Sequence, residues 1–225
     1  MADRRVLVIA AHPDDEVLGC GGTIARYTEA GVPVTVVIAC EGESLRYGPR
    51  GVGQEDHIRE AASVLGVEDV RLLGFADQRL DTVPLTEVIA PLQRIVREVR
   101  PTTVLGQFGG DVNRDHELLF KALLVATRPT EPWIEAVYAF ETASSTDWAY
   151  PRAFQPDTWV DISATLERKL RAMACYRSEV CQPPHPRSIE ALRQRAQAWG
   201  SHCCMEAAEV FVTVRRAARN GASPL

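Results

Sequence analysis

The sequence predicts an α/β protein, a Rossmann-like three-layer sandwich with a mostly parallel central sheet, and three observations carry that expectation. Short apolar runs rich in β-branched residues recur at 6–10, 34–38, 70–73, 103–107 and 136–140. Between them lie segments with apolar residues at helical spacing, most clearly Leu85, Val88, Ile89, Leu92, Ile95, Val96 and Val99. Glycines and prolines punctuate the alternation, and strand and helix repeated at this spacing imply parallel strands joined by right-handed crossovers.

Each element follows from its local pattern. The strand at 6–10 leads into a helix at 21–30 closed by Gly31, and the strand at 34–38 is followed by a Gly-rich, Arg-bearing stretch to Gly53 that reads as a mobile loop over the site. Ile58, Ala61, Ala62 and Leu65 give the next helix a core face, and Gly66 ends it before the strand at 70–73. Pro84 suits the first turn of the following helix, Pro101 forbids its continuation, and Pro91 inside it predicts a kink or break. After the strand at 103–107 come a turn at Gly109-Gly110-Asp111, a helix at 115–127 and the strand at 136–140.

The segment 141–156 is aperiodic and suits a wall or lid loop; helices at 164–177 and 188–199 and a strand at 210–214 complete the chain. Residues 1–225 thus read as one domain, with 141–225 forming a lid loop and a C-terminal helical extension. The stripe Ile189, Leu192, Ala196 and Trp199 reads as a core-packing face, with a partner-binding groove as the alternative.

Composition narrows the function. In 225 residues, 46% hydrophobic content is ample for a core, and a net charge of −5 without basic runs argues against a nucleic-acid partner and for a small substrate. The apolar run before His12 is too short for a signal-peptide core or a membrane span, so a cytoplasmic protein with no membrane partner is expected; self-association is left open. The six cysteines lack zinc-knuckle or redox spacing and read as small buried hydrophobes rather than a disulfide framework.

The chemistry concentrates in Ala11-His12-Pro13-Asp14-Asp15-Glu16, at the end of the first strand. Three acids in a first helical turn suit the helix dipole, but that accounts for neither His12 nor Pro13, which stiffens the bend and aims His12 and Asp15 at a common point. A second turn, Gly109-Gly110-Asp111-Val112-Asn113-Arg114-Asp115-His116, places acids and a histidine at the mouth of the fourth strand, on the same edge of a parallel sheet. Two imidazoles and one carboxylate with an open fourth position form the ligand set of a catalytic zinc. His57 reads as solvated, His202 beside Cys203 and Cys204 lacks ligand spacing, and His185 is either a substrate contact or an ordinary loop histidine.

With these motifs the sequence resembles the PIG-L/LmbE superfamily of zinc-dependent N-acetylglucosaminyl deacetylases, over nearly the whole chain through Pro184-His185-Pro186-Arg187-Ser188 and Ala208-Glu209-Val210-Phe211. The resemblance implies one Zn2+ per chain held by His12, Asp15 and His116, with Asp14 as general base. Asp115 is either an orienting residue behind the ligands or a helix cap. Where many members carry a histidine three residues before the last ligand, this chain has Asn113, preceded by Gln107 and Phe108; an amide donates a hydrogen bond but carries no proton. Asn113 is retained as a catalytic candidate, and Arg46, Arg50, Asp111 and His185 as substrate contacts. The two arginines either close over an anionic group or are solvated.

The expected reaction removes acetyl from an N-acetylglucosamine-type sugar in a biosynthetic intermediate, antibiotic biosynthesis being one setting. The alternatives are a zinc amidase acting on another amide and a non-catalytic sugar- or nucleotide-binding module. No Gly-x-Gly-x-x-Gly follows the first strand, which argues against a dinucleotide.

Overall fold

The computed structural model describes residues 4–48, 53–151 and 153–218. The elements run β1 (Val6–Ala10), α1 (Asp15–Glu29), β2 (Val34–Cys40), α2 (Gln54–Leu65), β3 (Asp69–Phe75), α3 (Leu85–Val99), β4 (Thr103–Gln107), α4 (Arg114–Ala126), β5 (Ala136–Phe140), β6 (Thr158–Asp161), α5 (Leu166–Cys175), α6 (Ile189–Ser201) and β7 (Ala208–Arg216). They build a seven-stranded sheet in the order β3-β2-β1-β4-β5-β7-β6. The first five strands are parallel, whereas β7 runs antiparallel to β5 and β6 antiparallel to β7.

β1 is apolar throughout because both its faces are covered. Val6 and Val8 join a core built with α1, α2, α5 and α6, while Leu7 and Ile9 join a second core built with α3 and α4. The result is the three-layer α/β sandwich expected. The chain leaves β1 toward β2 and β3 on one side and returns to β4 on the other. The crevice where the strand order reverses therefore opens between the carboxyl ends of β1 and β4.

Several elements differ from the sequence reading. The strand expected at 210–214 is β7, and with β6, which the sequence reading lacks, it extends the sheet while α5 and α6 pack into the first core, so 141–225 is more than a lid loop and helical extension. Of the stripe, Ile189, Leu192 and Ala196 form a core-packing face, whereas Trp199 is half-buried and donates its indole N–H to Glu141 (2.7 Å). Pro91 neither ends nor splits α3. The proline forfeits a bond to the carbonyl of Glu87, an exposed residue whose carbonyl water can serve, while Val88, Leu92, Ile95 and Val96 hold the opposite face in the core. His57 is buried, its Nδ1 3.2 Å from Gln54 Oε1, rather than solvated. Only Cys20 and Cys40 are buried among six free cysteines. Arg50 lies outside the described residues.

α1 starts six residues earlier than its pattern suggests and breaks at Cys20, whose φ of −145° and ψ of 22° are not helical. An unbroken helix would pair the Leu18 carbonyl with the Gly22 amide. Here Lys169 Nζ donates to Leu18 O (2.9 Å), and Glu209 accepts from Gly22 N (2.9 Å) and Thr23 N (2.7 Å). The ammonium and carboxylate close on each other at 2.6 Å, both buried. A buried ion pair thus splints the break. A side chain at Gly22 would meet Ile162 at 2.8 Å, so glycine is required where this half of α1 crosses the C-terminal segment.

Candidate active site

The turn after β1 delivers His12 and Asp14, with Asp15 opening α1; the loop after β4 delivers Asp111 and Asn113, with Asp115 and His116 in the first turn of α4. His12 Nδ1 lies 3.2 Å from His116 Nε2, and Asp15 Oδ2 lies 3.3 Å from each nitrogen. Each ring is fixed from its far side: His12 Nε2 is 3.0 Å from Asp115 Oδ2, and His116 Nδ1 is 2.8 Å from Asp111 Oδ2. A carboxylate only accepts, so those far nitrogens carry the protons and, in the neutral rings, the two lone pairs face the Asp15 oxygen.

Three acceptors converging in a buried place call for a cation. A tetrahedral zinc with bonds of about 2.0–2.1 Å sets its ligand atoms about 3.3 Å apart. That is the spacing found. Protonation follows the same electrostatics. Burial alone would lower the His116 imidazole, but Asp15 and Asp111 outweigh it and bring it up to about 10. Burial would raise Asp15, yet the two imidazoles hold it well below the usual carboxylate range. Among the described residues one further group, His12, Cys40 and Asp115, has donors close enough for a metal. Its atoms already bond one another, and burial pushes the Cys40 thiol up so that it stays protonated and a poor ligand.

Asp14 has φ 103°, a conformation costly for a side-chain-bearing residue, of order 1–3 kcal/mol. The neighbouring network holds it: Glu16 Oε2 accepts from Asp14 N (3.2 Å), and Glu16 Oε1 accepts from the Tyr176 hydroxyl (2.5 Å). The Asp14 carboxylate lines a polar cleft of about 50 Å3, together with His12, Gln78, Asn113, Ser144 and Arg187. Burial pushes its pKa well up, reinforced by Asp15 and Glu179 and opposed by Arg187.

Asn113, not Asp115, caps α4: its Oδ1 accepts from Asp115 N (2.9 Å), and its amide donates to Gln78 Oε1 (3.2 Å). Asp115 also accepts from Leu80 N (3.0 Å), tying the segment after β3 to His12. Asp111 spends its carboxylate on His116 and not on the cleft. Arg46 lines the cleft and keeps an exposed face, but its guanidinium is paired, binding Glu179 (2.9 Å) and Asp77 (3.3 Å). His185 is not among the cleft-lining residues and sets its ring edge-on against Trp148.

Sequence reasoning missed four site residues. Arg187 bonds Glu179 (3.0 Å) and Asp14 (3.4 Å), Asp77 lies 3.5 Å from His12 Nε2, and the Gln78 amide lies 3.1 Å from that atom. Only Arg187 carried a signal, as the single charge in the proline-rich stretch 183–188. Asp77, Gln78 and Glu179 sit in unremarkable loops.

Comparison with known proteins bears on this geometry. The family model described as GlcNAc-PI de-N-acetylase, PIG-L, matches residues 7–127. A probable N-acetyl-alpha-D-glucosaminyl L-malate deacetylase of Bacillus cereus is 29% identical over 79% of this chain and 84% of its own. A diacetylchitobiose deacetylase of Thermococcus kodakarensis is 28% identical over 78% of this chain and 70% of its own. The crystal structure of a conserved protein of Thermus thermophilus superposes with a TM-score of 0.78 at 27% identity, covering 98% of this chain and 99% of that one. The matched segment spans both strand-to-helix turns that build the donor triangle, and the chain belongs to the PIG-L family of de-N-acetylases.

Proposed function

We propose that the protein is a zinc-dependent hydrolase that removes the acetyl group from an N-acetylglucosamine-type amino sugar, releasing acetate and a free amine. The observation that carries this reading is the triangle of His12 Nδ1, Asp15 Oδ2 and His116 Nε2, spaced for one tetrahedral cation beside an independent carboxylate. Relatives named as deacetylases of N-acetylated sugars support the substrate class.

When bound, zinc supplies a polarised amide carbonyl and a water whose pKa falls to about 7. Asp115 and Asp111 keep the His12 and His116 lone pairs aimed at the ion by taking their far N–H groups. Asp14 stands at the cleft outside the triangle, takes the proton of the attacking water and hands it to the departing nitrogen. Arg187 faces the Asp14 carboxylate and favours its charged form against burial. Glu16 and Tyr176 hold the backbone that sets Asp14 in place.

The test is elemental analysis of the purified protein with an assay of acetate release from a panel of N-acetylglucosaminides. About one zinc per chain and acetate release abolished by chelation are expected. A protein that takes up no metal and releases no acetate refutes the reading and favours a binding module.

A further inference from the structure

The structure describes six exposed large apolar side chains, and four of them, Leu45, Val112, Trp148 and Tyr150, stand on the loops that line the cleft. Leu45 precedes Arg46, Val112 precedes Asn113, and Trp148 and Tyr150 follow Ser144 and Ser145; all four neighbours or predecessors line the cleft. Single exposed apolar residues are ordinary, but their concentration around one opening marks a contact surface. Two of these loops are tied together, because Val112 N donates to Ser145 O (3.2 Å), and the second is closed on itself where Trp148 N donates to Ser144 O (3.0 Å).

Trp148 is held while it is exposed. Its ring meets His185 edge-on at 5.6 Å and 88°, and His185 Nδ1 accepts from the backbone N–H of Arg187 at 3.1 Å, which ties the pair to a cleft-lining residue. With 59% of the residue open to solvent, most of the indole remains available for a ligand. The cleft itself offers about 50 Å3. At about 10–15 Å3 for each water-sized group, that admits an acetamido group and little more. The remainder of a substrate lies across the rim.

The charges at the rim do not suit an anion. Arg46 and Arg187 both bind Glu179, and Asp77 and Asp14 complete their pairing, so two guanidiniums face three carboxylates. We propose that the rim formed by Val112, Trp148 and Tyr150 is an aglycone subsite, selecting N-acetylglucosaminides that carry an apolar aryl or alkyl group. The proposal rests on the deacetylase reading and adds the substrate's second half to it.

The test compares acetate release by the zinc-loaded protein from phenyl N-acetylglucosaminide, free N-acetylglucosamine and N-acetylglucosamine 1-phosphate. An aromatic contact worth up to about 1.5 kcal/mol gives the phenyl glycoside about a tenfold advantage in kcat/KM. In Trp148→Ala the ratio of phenyl to free sugar collapses through KM, and in Trp148→Phe most of it returns. Equal rates on all three substrates, a preference for the phosphate, or a Trp148→Ala loss shared equally by all three overturns the proposal. If no substrate releases acetate, the deacetylase reading falls separately, and calorimetry with phenyl glucosaminide against glucosamine decides the rim. Tighter binding of the phenyl amine that is lost in Trp148→Ala upholds the subsite; equal binding overturns it.

Discussion

Replacing Lys169 with methionine tests whether the splint across α1 holds the site. The substitution keeps most of the apolar stem and deletes the ammonium, which bonds Glu209 at 2.6 Å and Leu18 O at 2.9 Å. Glu209 is then left as a buried carboxylate with two backbone N–H donors and no counter-charge. Breaking a buried pair from one side costs about 3–5 kcal/mol, and the Leu18 carbonyl falls within that cost because one ammonium serves both. For a chain of this size each kcal/mol moves the unfolding midpoint by about 2–4 °C, so a drop of about 6–20 °C is expected by circular dichroism. Adding Glu209→Gln to the variant recovers part of the loss, since a neutral amide oxygen still accepts from Gly22 or Thr23. Zinc affinity falls together with stability because Asp15 lies on the tethered half of α1. A midpoint shift below about 2 °C, or no recovery in the double variant, refutes the argument that the pair carries the break.

The two adjacent aspartates are expected to fail differently. Asp15→Ala lowers zinc content and activity together, whereas Asp14→Asn keeps zinc and loses about a hundredfold or more in kcat; near-normal turnover in a fully loaded Asp14→Asn protein removes Asp14 as the base. Metal uptake is expected to release at least one proton, since burial of the His12 imidazole is outweighed by Asp115 and Asp15 and its pKa is raised as well. His116 is raised to about 10 in the folded metal-free protein, above its ordinary 6.5, so its contribution to stability is complete below the latter value and is lost as pH rises through the former. Between those values zinc displaces the His116 proton, and its apparent affinity rises at least about tenfold per pH unit. Calorimetry in buffers of different ionisation heat checks this, and uptake without proton release contradicts it.

The sequence made legible what local pattern controls. β1 through β5 announce themselves as buried β-branched runs, and the two acidic turns follow the ends of β1 and β4, so parallel strands alone bring His12 near His116. β6 stayed hidden because it has four residues, all half-buried, with no apolar run to mark it. Gly19 and the acids at 14–16 hide the start of α1, because they interrupt the apolar spacing that marks the helix from residue 21 on. Arg187 reaches Asp14 across more than 170 positions while pairing with Glu179, and no spacing rule encodes such a contact. A separation of 133 positions likewise hides Glu179 from Arg46, whose loop alone points to a ligand or to water.

The residues that hold the first turn lie far toward the end of the chain. Tyr176 braces the bend at Asp14, and Lys169 and Glu209 bridge the break in α1, although all three follow His12 to Asp15 by more than 150 positions. A polypeptide ending after β5 would contain every atom of the donor triangle and none of these braces. Such distant contacts close only after a long loop has been ordered, which slows folding. During translation the braces on the turn at 12–15 therefore form only once β7 has left the ribosome, and a chain cut before Lys169 keeps the donor triangle without any of them.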